Sequence, residues 1–537
     1  MSFPAGRFSV RRFHINFLSR YTQELPTCDW RITLQIFEPN AWDYRLNNVL
    51  NQRRAGVLLH ITSLPGHDRQ GDLGQNAYYF VDFLQNCGVS VWQTLPLGMT
   101  HADGSPYQCL SAHAGNPELI SIDQLVESGW LNFSDHGPAI RESREFNKSD
   151  LIAQAYYGFL ERASADDQED FAQFCKAKAF WLDDFALFIV LRNEFGGSSW
   201  NYWPERYKER EPKALKEMRR RMKREIDCIR FEQYVFYRQW MRLKLYANQK
   251  GILVFGDVPI FVSYDSVDVW ANRAVFKLNA SGEMVVVAGV PPDYFSANGQ
   301  RWGNPHYDWE ALQKNGFAWW IRRMSTQLEQ FDILRIDHFR GFEAAWEIPA
   351  HEDTAINGVW VKAPGKELLQ AIMDAFGEIA LVAEDLGVIT HEVETLRDGF
   401  QLPGMKILQF AFGGNADNPY LPVHYTRNSV VYTGTHDNDT TIGWVHKLSH
   451  QQKHYVYDYL GFPSIPLHWA LVLAALSSVA NLAVIPMQDI LELDTEHRMN
   501  TPGTTVGNWK WRFQWEQLTD EMAGRLAHMI RLFDRKR

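Results

Sequence analysis

The stretch FDILRIDHFRGF, residues 331–342, decides what kind of sheet this chain builds. Its first half alternates apolar and polar residues and is rich in Ile, Leu and Phe, the pattern of a buried strand. The strand ends in a carboxylate, Asp337, with Arg335 two positions earlier. A period of two puts those side chains on one face. An acid at the carboxyl end of a buried strand, beside a fixed positive charge, stays ionised and is aimed at whatever lies there. That is how a carboxylate nucleophile is presented. It is equally how a buried Asp–Arg pair holds a loop, so the neighbouring runs have to decide.

From Ala55 onward the chain repeats the same design. Short apolar runs end in Gly, Pro, Asp or His, and most lead into helix-like segments: AGVLLHITSLPG, VSVWQTLPLG, GILVFGDVPI and DILRIDHF, then EIALVAEDLG, GMKILQFAFGG, SVVYTGTHDN and LAVIPMQDIL. Strands alternating with helices imply parallel βα units, and these eight runs imply a closed (β/α)8 TIM barrel, an α/β fold. The spacing is uneven. Between the second and third runs, residues 100–250 read mostly as amphipathic helix, as in FWLDDFALFIVLRNEF and RFEQYVFYRQWMRLKLYANQ. A large, mainly helical insertion after the second barrel strand is therefore expected over the face where loops build the site. The charged segment 208–224 reads as a solvated helix face. The expected organisation is an N-terminal extension, residues 1–45, followed by one catalytic barrel, residues 46–537.

Composition narrows the class. A net charge of −10 and a pI near 6.0 argue against nucleic acid as the main partner, since phosphate binding needs a basic surface. Aromatic residues reach 14% with 20 Trp; part of that is core, and flat aromatic faces also suit sugars. Cys28, Cys87, Cys109, Cys175 and Cys228 are scattered without CxxC spacing, which reads as free thiols in a reducing compartment. The apolar segment WALVLAALSSVANLAVI, residues 469–485, is short and interrupted by Ser477, Ser478 and Asn481. It reads as a buried helix running into a strand, with no membrane partner. The start is basic and poor in acid: Arg7, Arg11, Arg12 and Arg20 precede Glu24. That pattern fits a transit peptide or a dispensable extension, and the latter is favoured.

In a barrel, chemistry comes from the carboxyl ends of several strands. Here the third run ends with Asp257, the fourth with Asp337, the fifth with Glu384 and Asp385, and the seventh with His436 and Asp437. Converging carboxylates repel unless cations or shared protons compensate. Retaining glycoside chemistry uses that arrangement: one carboxylate attacks the anomeric carbon while a second, of raised pKa, protonates the departing oxygen.

Several separate motifs then point to one family: SPYQ with AGNP, GDVPIFV with DSVDVWAN, GVPPDYFSANGQRWGNP, RIDHFRGF, AEDLG, THDN, and RMNTPGT with NWKWR. In this order, over residues 54–512, the chain resembles the 4-α-glucanotransferases called amylomaltase or disproportionating enzyme, glycoside hydrolase family 77 of the α-amylase clan. The resemblance implies Asp337 as nucleophile, Glu384 as general acid/base and Asp437 as transition-state stabiliser. Arg335 would keep Asp337 ionised, and the apolar run before Glu384 would raise its pKa. It further implies Ser105, Tyr107, Asp293, Gln300, Trp302, Arg335, His436 and Asn500 as substrate-binding residues, with residues 289–305 as a mobile cover that excludes water. Tyr107 also fits a packing role. Asp385 should point away from Glu384. Two features depart from the family: His113 stands where an aromatic residue is usual, and residues 1–45 have no counterpart in short bacterial members. The implied reaction needs no cofactor and no metal. Its substrates would be maltooligosaccharides and starch- or glycogen-derived glucans, with glucose as an acceptor, in the cytoplasm or, with a true transit peptide, a plastid. A hydrolase of the same clan and an inactive glucan-binding protein are the alternatives.

Overall fold

The computed structural model describes residues 49–66, 70–132, 147–292 and 296–535. The extension at residues 1–45 and the candidate contact Asp293, with Tyr294 and Phe295, lie outside the described residues.

The strands in chain order are β1 (Arg54–Leu58), β2 (Val91–Gln93), β3 (Leu253–Pro259), β4 (Val286–Val290), β5 (Gln300–Pro305), β6 (Ile333–Asp337), β7 (Ala344–Pro349), β8 (Val359–Lys362), β9 (Leu381–Ala383), β10 (Gly404–Ile407), β11 (Ser429–Tyr432) and β12 (Leu482–Pro486). Eight of them close a parallel barrel in the order β1-β12-β11-β10-β9-β6-β3-β2. Each contains one of the apolar runs read from the sequence. Register carries the chemistry. The β3–β6 ladder sets Asp257 beside Arg335 and Pro259 beside Asp337. The β6–β9 ladder pairs Ile336 with Ala383, so one step further Asp337 and Glu384 leave adjacent strands at the same height.

The long insertion is helical, with Lys148–Arg162, Ala165–Glu194, Pro212–Arg221 and Lys223–Gln249 as its main elements. In the charged segment, Ala214, Leu215 and Met218 face inward while Arg219 and Arg221 pair at the surface with Asp184 and Glu194. The helix Lys223–Gln249 grips the loop that follows β2. Buried Gln233 accepts from the Gly115 N–H (2.8 Å) and donates to its carbonyl (3.0 Å), and Gln239 does the same for Ser121. Gly115 is forced to be glycine, because a Cβ there would lie 2.0 Å from the Phe236 ring. That contact gives the AGNP motif a mechanical reason. His113, the departure from the family pattern, lies in the same packing: its Nδ1 is 2.9 Å from Thr326 Oγ1, and its ring stacks at 6.0 Å on Trp181. It therefore fills an aromatic slot as a neutral ring, held by burial at about 3, well below the usual histidine value.

One expectation is corrected. Residues 289–305 are not a plain loop: β4 and β5 form an antiparallel hairpin in a second, four-stranded sheet of order β5-β4-β7-β8. The hairpin bulges between Val287 and Gly289, where the chain runs so close to Gln300 that a Cβ would lie 2.1 Å from its carbonyl oxygen. The apolar segment at 469–485 is, as read, a helix (Leu467–Ser477) leading into β12. Among the described residues no helix is long and apolar enough to cross a membrane.

The seam where β1 meets β12 is latched by one residue. Arg535 is fully buried, and its guanidinium donates to the carbonyls of Leu476, Ser478, Ala480, Asn481 and Arg54. Burial, with the nearby Arg53 charge, lowers its pKa to about 9.

Candidate active site

The carboxyl ends of β3, β6, β9 and β11 deliver their acids to one mouth of the barrel. Arg335 is the hub. Its Nη1 donates to both carboxylate oxygens of Asp257 (2.8 and 2.7 Å), and its Nη2 lies 2.8 Å from Asp337 Oδ1. Burial opposes the cation, but Asp257 and Asp337 outweigh it and hold Arg335 charged, well above its usual range. Asp337 is partly open to the mouth, whereas Asp257 is sealed.

Tyr107 extends this network towards β11. Its hydroxyl donates to Asp257 Oδ2 at 2.8 Å, and His436 Nε2 lies 2.9 Å from the Tyr107 hydroxyl oxygen. Because the phenol proton is committed to Asp257, His436 Nε2–H is the donor to Tyr107. Burial, and then the Asp257 charge, raise the Tyr107 pKa well above its usual value, so the proton stays on the phenol. The two rings stack at 5.2 Å, flanked by Trp509. His436 Nε2 also reaches Asp437 Oδ2 at 3.4 Å, and Asn500 Nδ2 donates to Asp437 Oδ1 at 2.7 Å. Burial works against the Asp437 anion, but His436, Asn500 and Arg335 overcome it and bring its pKa below the usual carboxylate range. His436 is raised: burial opposes its charged form, and Asp437 more than compensates.

Glu384 lives differently. Among the described residues no cation pairs with its side chain. Oε2 accepts from the His338 N–H (2.7 Å) and Oε1 from the Leu386 N–H (3.0 Å). Burial pushes its carboxyl up to about 8; the Asp337 charge adds to this, while Arg335 and the His338 N–H oppose it. His338 can aim its N–H there because its backbone is left-handed, φ 55° and ψ 49°. Its ring is held edge-on by Trp302 of β5, centroids 4.9 Å apart, which ties the second sheet to the acid. Trp302 Nε1–H in turn donates to Gln300 Oε1 at 3.2 Å. Asp385 faces the other way, accepting from the Met405 N–H (2.7 Å) and from Arg397. Among the described residues no group of three or more His, Cys, Asp or Glu is arranged to hold a metal ion.

A model of the 4-alpha-glucanotransferase family matches residues 59–519. The chain belongs to the 4-alpha-glucanotransferase family. It is 49% identical to the 4-alpha-glucanotransferase of Synechocystis over 500 residues, which are 91% of this chain and 99% of the relative. It is 48% identical to that of Thermus thermophilus, covering 90% and 99%. Among solved structures, the amylomaltase of Streptococcus agalactiae in complex with acarbose superposes with a TM-score of 0.86 at 37% identity, over 90% of this chain and 100% of that one.

Among the residues expected of a 4-alpha-glucanotransferase from sequence, Asp337, Glu384, Asp437, Arg335, His436, Tyr107 and Asn500 converge on one mouth of the barrel. Gln300 and Trp302 join them through His338. Ser105 is one step back: its Oγ accepts from the Tyr107 N–H at 3.4 Å and shapes the turn that presents Tyr107. The sequence marks Asp257 as a strand-end acid without giving it a role, and it does not single out His338 or Trp509. A role for Asp257 could have been found, since it ends the strand beside Arg335 in a register that the aligned runs already suggest. Trp509 sits in the NWKWR motif, but nothing local says that its ring reaches Tyr107.

Proposed function

We infer that this chain is a 4-α-glucanotransferase acting on 1,4-α-glucans by a retaining double displacement, with Asp337 as nucleophile, Glu384 as acid/base and Asp437 as stabiliser. The observation that carries this reading is the difference in partners between neighbouring acids, a guanidinium on Asp337 and backbone N–H groups on Glu384. Arg335 holds one Asp337 oxygen and leaves the other free to attack the anomeric carbon. Glu384, pushed to about 8, carries a proton at neutral pH and can give it to the departing glycosidic oxygen. Asp437, fixed by Asn500, stays ionised and accepts hydrogen bonds from the sugar hydroxyls as positive charge develops on the ring.

Once the glycosyl–aspartate ester forms, Asp337 loses its charge and the acid loses a neighbour that was holding its proton on. Glu384 then serves as base for the incoming 4-hydroxyl. Donors are maltooligosaccharides and starch- or glycogen-derived glucans; acceptors are a second glucan, glucose, or the chain's own end in a cyclisation. Neither a cofactor nor a metal enters the scheme. Free thiols and glucan chemistry suit the cytoplasm. The four described cysteines Cys87, Cys109, Cys175 and Cys228 are unpaired, consistent with that setting.

The test is incubation of the pure protein with maltotriose, alongside Asp337→Asn. A ladder of longer maltooligosaccharides plus glucose, absent in the variant, is the expected result. Glucose and maltose alone would make water the acceptor. No turnover, with glucan binding retained, would leave a binding protein.

A further inference from the structure

The second sheet carries an aromatic group that the scheme above does not use. Trp360, on the edge strand β8, is 37% exposed. One face of its indole lies on the Arg340 guanidinium, 3.8 Å from the ring centroid. Its edge meets Trp346, its register partner on β7, at 5.2 Å. The guanidinium is itself fixed, since Arg340 Nη1 donates to the Val388 carbonyl at 2.6 Å. Two residues along β8, on the same face of the strand, Lys362 pairs with Glu343. This face of β8 is thus pinned to the turn that leaves Asp337. The indole is rigid, backed by a cation, and open on its remaining side.

Its place in the chain gives the ring a direction. Arg340 follows Asp337 by three positions, and Val388 follows Glu384 by four. The platform is therefore attached to both loops that carry the reacting carboxyls, on the Glu384 flank of the mouth. An acid/base stands on the leaving-group side of the bond it cleaves, which is also the side from which the acceptor arrives. A glucose ring offers an apolar face of C–H groups whose positive edges match the negative face of an indole. Solvent-exposed Val388 extends the apolar ground beside it.

We propose that Trp360, held by Arg340 and Trp346, is a binding platform for the leaving and acceptor arm of a long α-1,4-glucan, beyond the sugars that touch the carboxylates. The proposal rests on the glucanotransferase reading for its ligand class. Short substrates do not reach the platform, so it acts on affinity for long chains and leaves the chemistry of maltotriose alone.

Kinetics of wild type, Trp360→Ala and Trp360→Phe with maltotriose and with long-chain amylose test it, together with retardation of Asp337→Asn and Asp337→Asn/Trp360→Ala in gels containing amylose. The expected result is an amylose KM raised about threefold to tenfold in Trp360→Ala, the size of one aromatic contact. Maltotriose kcat/KM stays near wild type, Trp360→Phe recovers part of the loss, and the double variant migrates faster in amylose. An unchanged amylose KM overturns the proposal. So does an equal loss on both substrates with no recovery by Phe, which would make the indole a prop for Arg340. If wild type gives no ladder from maltotriose, the glucanotransferase reading fails, whereas Trp360-dependent retardation in amylose still upholds the platform.

Discussion

Asp337 and Glu384 leave adjacent strands at the same height, yet their surroundings are opposite. On the Asp337 side, charges come in compensated sets: Arg335 with two aspartates, Tyr107 bridging to His436, and His436 beside an Asn-anchored Asp437. On the Glu384 side, among the described residues, stand two backbone N–H groups, a left-handed histidine and an indole packed on it. Arg335 and Asp257 are as buried as Glu384, whereas Asp337 is partly open; the partner is what differs most. A buried acid given a cation is an anion and a nucleophile, whereas one given only dipoles keeps its proton.

The strongest way to break this contrast is to neutralise the anion. Asp337→Asn should reduce maltotriose transfer by on the order of 10⁴-fold or more while retaining glucan binding, measured by product formation and by gel retardation. Next comes the acid. Glu384→Gln should cost about 10²- to 10⁴-fold with maltotriose, and much less with α-maltosyl fluoride, whose leaving group needs no proton. Equal losses on the two donors would remove Glu384 from the acid role. The anchor of Asp437 should matter less: Asn500→Ala removes one hydrogen bond to a charged group and should lower kcat/KM by about 10- to 100-fold.

The finest test sharpens the contrast through protons. In wild type, kcat/KM should fall as pH rises through about 8, where Glu384 loses its proton. In Asp337→Asn the neighbouring charge that helps hold that proton is gone, so the Glu384 pKa, followed by NMR of labelled carboxyls, should drop. Stability reads the same group. The folded value near 8 exceeds the ordinary 4.5, so the folded protein keeps a proton that the unfolded chain releases between those values. Glu384 therefore lowers stability progressively as pH rises through that window and by a constant amount above it. The Tm of Glu384→Gln relative to wild type should climb from pH 5 to about 8 and then level off.

What the sequence revealed follows from how far each signal reaches. The barrel strands were legible because each is a short β-rich run, buried on both faces, that stops at Gly, Pro or an acid. The second sheet was not, because VVAGV, QRWGNP and VWVK are short, partly exposed and broken by Gly and Pro. They are strands only because tertiary pairing makes them so. The same divide holds in the site. Arg335 and Asp337 share a strand face, and their pairing could be read directly. The approach of Tyr107 to Asp257 spans 150 positions, and the grip of Trp302 on His338 depends on a sheet that was not foreseen. Asp385 was legible as facing away, since adjacent strand residues alternate.

The latch at the barrel seam also sets an order of events during synthesis. Arg535 donates to the Arg54 carbonyl across 481 positions. A ribosome adding about 5–20 residues per second needs roughly half a minute to two minutes to travel that far. For most of that time β1 has emerged but its neighbour β12 has not, so an apolar strand waits with one edge unpaired. The nascent barrel must be an open, curling sheet, sheltered by its own helices or by a chaperone. It closes in a late step, when the last strand slots in and a single arginine ties five carbonyls across the join.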